Sequence, residues 1–193
     1  MFDVNQSAAT IGTYIPSIST DYPRILTFGP SYFESYATWP NVKFTHGFNL
    51  GHNSSHDREA LLLSVAYACK ALSSGNLLYY ELGNEPDLFK TSAQGIVRPR
   101  NWTETSYVQE WLNVKRSIKD RLQQWCPGQE NVEWYAPSFA GTSNSLDPIR
   151  TWDAGLDVDN DISMFSSHKL VPTPDILCTS LTRCLAISVV PPN

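Results

Sequence analysis

The chain has 193 residues, 41% of them hydrophobic and 12% aromatic, and it carries a formal charge of -5 at pH 7 with a pI near 5.3. This composition is typical of a globular protein with one core, whereas a complete (β/α)8 barrel needs roughly 250 residues. Lys and Arg do not cluster, which argues against a nucleic-acid partner because phosphate binding requires concentrated positive charge.

Signals for export disagree with one another. No apolar run approaches the roughly 20 residues of a membrane span. The first residues also lack the basic head and apolar centre of a signal peptide. However, N-glycosylation sequons, which only an exported protein uses, begin at Asn5, Asn53 and Asn101. We therefore expect no membrane partner, and a secreted, glycosylated parent protein whose N-terminal leader is missing from this chain.

Strands and helices alternate along the first half of the chain. Short strands are predicted over residues 24–28 and 42–49. A helix follows, in which apolar residues recur at helical spacing. Ser55 or Asp57 can cap the start of this helix, and Gly75 closes it.

The same alternation continues in the second half. A strand rich in Leu and Tyr begins at Leu78 and runs into Gly-Asn-Glu-Pro at residues 83–86. A second amphipathic helix is predicted over 108–125, and buried strands over 132–137 and 162–168. Strands separated by helices of this length imply an α/β fold with a parallel sheet and right-handed crossovers.

The cysteines give no sign of a metal centre. Cys69, Cys126, Cys178 and Cys184 lack the spacing of metal ligands. We expect these four residues to be buried or disulfide-paired thiols. No metal site and no cofactor are predicted.

The strand that begins at Leu78 presents a carboxyl group where it ends. Pro86 terminates the strand and favours an extended backbone at Glu85, so we expect this side chain to be aimed in a fixed direction. In a (β/α)8 barrel the catalytic residues come from the carboxyl ends of the strands. Glu85 is therefore a catalytic candidate, and the alternative is an ordinary carboxylate at a strand end.

Two stretches carry a family resemblance. Residues 81–89 read Glu-Leu-Gly-Asn-Glu-Pro-Asp-Leu-Phe, and residues 43–50 read Lys-Phe-Thr-His-Gly-Phe-Asn-Leu. Together they resemble glycoside hydrolase family 79, the family of heparanases and β-glucuronidases; another Asn-Glu-Pro family, such as the cellulases, is the lesser alternative. The resemblance covers residues 1–168 and implies a partial (β/α)8 TIM barrel made of its central strands and helices. Residues 169–193 depart from the family pattern, and we expect an irregular tail there, translated out of the family's frame.

The resemblance implies roles for individual residues. Glu85 would be the general acid/base, and Asn84 would hydrogen-bond the sugar hydroxyl next to the anomeric carbon, with a turn amide as its alternative role. His168, His46 and Asn49 would line the sugar site, although structural roles are open for all three. The implied substrate is a carbohydrate, namely a glucuronide or a glycan that contains uronic acid.

A retaining glycosidase also needs an ionised carboxylate about 5 to 5.5 Å from the acid, on the other side of the sugar. Glu81 lies four residues before Glu85 on one strand, roughly 13 Å away, and we expect it to bond a basic or hydroxyl group inside the barrel. Asp87 shares a loop with Glu85, Glu133 lies at the opposite face, and no Glu follows Glu133. We therefore expect a β-glucuronidase-type fragment with the acid/base but no nucleophile; the alternative is an inactive or weakly carbohydrate-binding remnant.

Overall fold

The structure is a computed structural model that describes residues 1–15, 23, 25–91 and 95–168. Its strands are β1 (Thr10–Thr13), β2 (Ile25–Phe28), β3 (Phe44–Phe48), β4 (Leu77–Leu82), β5 (Trp134–Phe139) and β6 (Ile162–Ser167). Its α-helices are α1 (Ser55–Ala71), α2 (Glu104–Trp125) and α3 (Pro148–Asp153), and two 3-10 helices span Pro30–Ala37 and Pro86–Leu88.

The main sheet has four strands in the order β3-β4-β5-β6, and every neighbouring pair is parallel. Helix α1 connects β3 to β4, and α2 lies between β4 and β5. The mixed α/β fold with a parallel sheet is therefore confirmed. Because all four strands run in one direction, their carboxyl ends meet at one edge of the sheet.

The predicted strand over 24–28 forms as β2, but the expectation that it joins the parallel sheet is wrong. It pairs antiparallel with β1, in a separate two-stranded sheet in which Thr10 is opposite Phe28. Strand β1 had no predicted counterpart because all four of its residues are exposed and it lacks alternating apolar residues. Phe2 also bridges Phe28, so the N-terminal residues pack on β2.

The two faces of the main sheet differ in burial. One face packs on α1 and α2, and its members, among them Tyr80, Leu82 and Trp134, are almost completely buried. Side chains alternate between the faces along each strand. The other face therefore carries Glu81 and Tyr135, which are neighbours across β4 and β5 and are only half-buried.

The boundaries of the two long helices follow from local chemistry. Ser54 caps α1, rather than Ser55 or Asp57 as predicted, because its hydroxyl accepts a hydrogen bond from the Asp57 backbone N–H at 3.2 Å. Asp57 completes this capping box from within the first turn. The predicted end of α2 is confirmed, since the helix runs to Trp125 and Cys126 is its C-cap.

A disulfide joins the two long helices. Cys69 in α1 and Cys126 at the end of α2 are bonded, with their Cα atoms 6.2 Å apart. This pairing agrees with the expectation of buried or paired thiols. Cys178 and Cys184 lie outside the described residues, as does the whole predicted tail over 169–193. The domain boundary after residue 168 stays a prediction.

Two features are not found in the part of the chain that the structure describes. Within the described residues, no helix is both long and apolar enough to cross a membrane. The same residues contain no group of three or more His, Cys, Asp or Glu side chains arranged to hold a metal ion.

Candidate active site

Glu85 lies three residues beyond β4, at the start of the 3-10 helix Pro86–Leu88. The predicted extended backbone is wrong, because Glu85 has φ 51° and ψ 49°, which is the left-handed region. A following proline disfavours the right-handed helical region, and a contact from elsewhere selects this one: the Glu85 N–H donates to the Ser138 carbonyl at 2.9 Å. A non-glycine residue in this conformation costs about 1 to 2 kcal/mol.

His168 brings a second functional group to Glu85. Its Nδ1 lies 3.0 Å from Oε1 of Glu85. His168 follows β6 directly, and its backbone N–H donates to the Phe139 carbonyl at 2.7 Å. The Glu85 side chain is 36% exposed and the His168 side chain is 33% exposed. The pair is therefore fixed by the protein and still accessible to a ligand. Its position at the carboxyl edge of the parallel sheet is where α/β enzymes place their chemistry.

Asn84 and Gly83 form the rest of the turn before Glu85. The Asn84 side chain is exposed and makes no hydrogen bond within the described part of the chain, so its amide is free to contact a ligand. Gly83 is required here because its φ is +83° and a Cβ would meet the Leu50 Cβ at 2.9 Å. Its N–H donates to the Phe48 carbonyl at 2.8 Å, which joins the ends of β3 and β4.

His46 lies on the helix-packed face of the sheet, away from Glu85. It is 5% exposed, and its Nδ1 lies 2.6 Å from the Tyr36 hydroxyl. Burial lowers the pKa of His46 to about 4, so the ring is neutral near pH 7. It is opposite Tyr80 in the register and shares its face with Phe48. Of the two roles considered for His46, its burial and its contact with Tyr36 agree with the structural one, and the place beside the sugar stays a prediction.

Asn49 lies just after β3, at the same edge of the sheet as Glu85. It is exposed, and its Oδ1 accepts a hydrogen bond from the Gly51 N–H at 2.8 Å. This is a local turn contact of the kind that asparagine makes with its own chain. Among the described residues, Asn49 makes no hydrogen bond to Glu85 or His168.

The other carboxylates considered as partners of Glu85 have distinct surroundings. Asp87 is completely buried and accepts hydrogen bonds from the loop that follows β5. Glu133 is exposed and directly precedes β5, at the opposite edge of the sheet as predicted. Glu81 is half-buried in β4, but the predicted bond to a basic or hydroxyl group is not seen among the described residues.

Arg98 is a residue of this region that the sequence did not single out. It is 4% exposed and donates to the carbonyls of Leu50 at 2.8 Å and Gly51 at 2.7 Å, and to the Glu110 carboxylate at 2.6 Å. Its guanidinium also lies near the ring of Phe89. Arg98 therefore joins the loop after β3 to α2 and to the segment after β4. A lone arginine in a polar loop gives no sequence signal of such a role.

The chain is similar in sequence to fungal proteins named β-glucuronidase. The chain is 58% identical over 171 residues to a protein of Aspergillus niger named β-glucuronidase, covering 89% of this chain and 32% of the relative. It is 46% identical over 165 residues to a protein of the same name from Neurospora crassa, covering 83% of this chain and 30% of that relative. The chain spans about a third of the length of these curated relatives. No family model matches it.

The fold is also similar to a solved structure. The crystal structure of a 4-O-α-L-rhamnosyl-β-D-glucuronidase from Fusarium oxysporum, in a Rha-GlcA complex, matches with a TM-score of 0.64 and 23% identity. The match covers 87% of this chain and 33% of that structure. At this level of identity the likeness concerns the fold. The sequence resemblance to β-glucuronidases is confirmed by the similarity to two proteins of that name.

Proposed function

We propose that this chain is the middle part of a glycoside hydrolase of family 79, a retaining β-glucuronidase that cleaves β-linked uronic acid glycosides. The observation that carries the proposal is the Glu85–His168 pair, which is open to solvent at the carboxyl edge of a parallel sheet. The similarity to two proteins named β-glucuronidase supports the substrate class. The four parallel strands would be half of the parent's (β/α)8 barrel.

Glu85 is the proton donor in this proposal. Its carboxyl group protonates the glycosidic oxygen as the bond to the anomeric carbon breaks, and later takes a proton from the attacking water. His168 holds that carboxyl by its Nδ1 atom. Asn84 donates its exposed amide to the hydroxyl next to the anomeric carbon, a bond that strengthens as positive charge develops on the sugar ring.

The nucleophile is the part of the reaction that this chain lacks. Asp87 is held by backbone and amide donors, and Glu133 lies at the far edge of the sheet. Glu81 is within the same strand that leads to Glu85, so it cannot approach a sugar from the opposite side. We therefore propose that the chain by itself is catalytically incompetent.

Weak carbohydrate binding is the second candidate function. Tyr79 and Tyr135 stack at a centroid distance of 6.4 Å on the half-exposed face of the sheet, and Asn84 offers a free amide at its edge. Aromatic faces and amides are the groups that contact sugars. Such binding would survive the loss of Glu85, which distinguishes it from catalysis.

Secretion and glycosylation of the parent protein belong to the same proposal. The sequon residues Asn5, Asn53 and Asn101 are all exposed. The Cys69–Cys126 disulfide is of a kind that persists in oxidising compartments and extracellular proteins.

A chromogenic β-glucuronide tests the proposal on the 193-residue chain. We expect no turnover above that of a Glu85→Gln variant, because a retaining reaction needs both carboxylates. Turnover that the substitution abolishes would refute the absence of a nucleophile while supporting the role of Glu85. Binding of the same glucuronide to both proteins without turnover would favour the carbohydrate-binding remnant.

A further inference from the structure

A buried carboxylate lies two residues after Glu85 and bonds the neighbouring loop. Asp87 is 0% exposed. Its Oδ1 accepts from the Ala140 N–H at 2.9 Å, and its Oδ2 accepts from the Asn144 side-chain amide at 2.6 Å and from the Gly141 N–H at 3.3 Å. All three donors belong to the loop between β5 and α3.

The main chain of Asp87 is attached to the same loop. Its carbonyl accepts from the Ser145 N–H at 3.2 Å and from the Ser145 hydroxyl. We call this set of contacts the Asp87 clamp, made by Asp87 with Ala140, Gly141, Asn144 and Ser145. Because every polar atom of this buried residue's carboxylate has a donor, the clamp satisfies a group that would otherwise be costly to bury.

The clamp holds the turn in which Glu85 is strained. Glu85 has a left-handed backbone, and such a conformation persists only where surrounding contacts determine it. The Ser138 carbonyl fixes the N–H of Glu85, and the Asp87 clamp fixes the chain two residues later. Both attachments lead to β5 or to the loop after it.

His168 is also attached to β5. Its backbone N–H donates to the carbonyl of Phe139, the last residue of β5. The two members of the Glu85–His168 pair are therefore each positioned against β5 or the loop after it, Glu85 through Ser138 and the Asp87 clamp, and His168 through Phe139. A shift of the turn would separate Oε1 from Nδ1 without disturbing the sheet.

We propose that Asp87 is a positioning residue, whose clamp holds the Glu85 carboxyl against His168. Asp87 does not touch the sugar or the reacting atoms. The inference deepens the proposed function, since it rests on Glu85 being the acid. The effect of the clamp on the Glu85–His168 pair can be tested without any turnover.

The test uses the Asp87→Asn variant of the full chain. The substitution keeps the shape of the side chain but directs an N–H toward donors, so the clamp opens. The readout is the imidazole 15N chemical shifts of His168 at one fixed pH. Changing Glu85→Gln should alter these shifts in the parent chain. We expect that effect to be lost in the Asp87→Asn background, as in a double-mutant cycle. Asp120→Asn removes the same charge from an exposed position on α2 and should leave the effect intact.

Two further variants keep the proposal falsifiable if Asp87→Asn does not fold. Asn144→Ala and Ser145→Ala each remove side-chain bonds from the clamp but leave the backbone donors, and both should reduce the response of His168 to Glu85→Gln. An undiminished response in Asp87→Asn, or in both of these variants, overturns the proposal. The proposed function can fail while the clamp stands. In that case the His168 response is lost in Asp87→Asn, but Glu85→Gln leaves glucuronide cleavage by a complete enzyme undiminished.

Discussion

The Nδ1 atom of His168 and the Oε1 atom of Glu85 lie 3.0 Å apart although 83 positions separate the two residues in the chain. The parallel sheet explains this meeting. Glu85 follows β4 and His168 follows β6, and both strands flank β5. Since β5 supplies a carbonyl to each residue's backbone, from Ser138 and from Phe139, its end is the common reference for the candidate site.

Removing the disulfide should destabilise the chain. The Cys69–Cys126 bond closes a loop across 57 positions, for which the chain-entropy treatment gives about 4 kcal/mol. We expect the Cys69→Ala, Cys126→Ala double variant to lose free energy of unfolding of that order, measured by urea denaturation. Equal stability of the double variant and the parent chain would contradict the prediction.

Acid should destabilise the chain through His46. Burial lowers its folded pKa from 6.5 to about 4, so between these values the unfolded chain binds the extra proton. Stability is therefore fully present above pH 6.5 and falls as the pH drops toward 4, by roughly 3 kcal/mol in total. Urea unfolding at several pH values measures this slope.

The control variants for this prediction are His46→Phe and His52→Gln. His46→Phe removes the titrating group, so the slope between pH 6.5 and 4 should flatten, although the Tyr36 hydroxyl loses its partner at every pH. His52 is exposed, and its substitution should leave the slope in place. An unchanged slope in His46→Phe would be the contrary result.

A buried lysine should make Asp161 important for stability. The Lys115 side chain is 0% exposed, and its Nζ lies 2.6 Å from Asp161 and 2.9 Å from Asp159. Asp161→Ala leaves a buried ammonium with one partner fewer, and we expect a loss of about 3 kcal/mol. Lys115→Met should cost less, because it removes the buried charge itself. Thermal and urea unfolding compare the two.

The matched control for this cluster is Arg116→Gln. Arg116 bonds Asp159 from an exposed position, with 53% of its side chain accessible, so its loss should cost less stability than the loss of Asp161. The Arg116 hydrogen bond, with Lys115, lowers the pKa of Asp159 to about 2. The stabilisation from Asp159 should therefore be complete above its ordinary pKa of 3.8 and be lost as the pH falls to about 2. A greater loss in Lys115→Met than in Asp161→Ala would contradict the account of the cluster.

Much of the sheet could be predicted because the spacing of apolar residues indicates which face of a strand or helix is buried. The strand that became β4 and the helix that became α2 were placed within a few residues, since each has an apolar face against the core. The pairing of β2 with β1 could not be predicted, because Thr10–Thr13 is exposed and has no such face.

The candidate site was predictable only in part. The Asn-Glu-Pro motif identified Glu85, but its left-handed backbone depends on the Ser138 carbonyl, 53 positions away, which no local rule contains. The face of His46 was within reach of the sequence. It has the same parity along β3 as Phe44 and Phe48, and this alternation indicates the core side of the strand.

Dependence on the leaving group is the most direct test of Glu85 as the general acid. In a chimera, residues 1–168 of this chain replace the matching segment of the Aspergillus niger relative, which restores the remaining two thirds of the protein. Glu85→Gln should lower kcat/KM, which reports the bond-cleavage step alone, by about 10² to 10⁴ for glucuronides with poor leaving groups, and far less for activated aryl glucuronides, whose departure needs no proton. Glu133→Gln, at the opposite edge of the sheet, should leave both rates unchanged. An equal loss on both substrates after Glu85→Gln, or no loss on either, would contradict the assignment of Glu85.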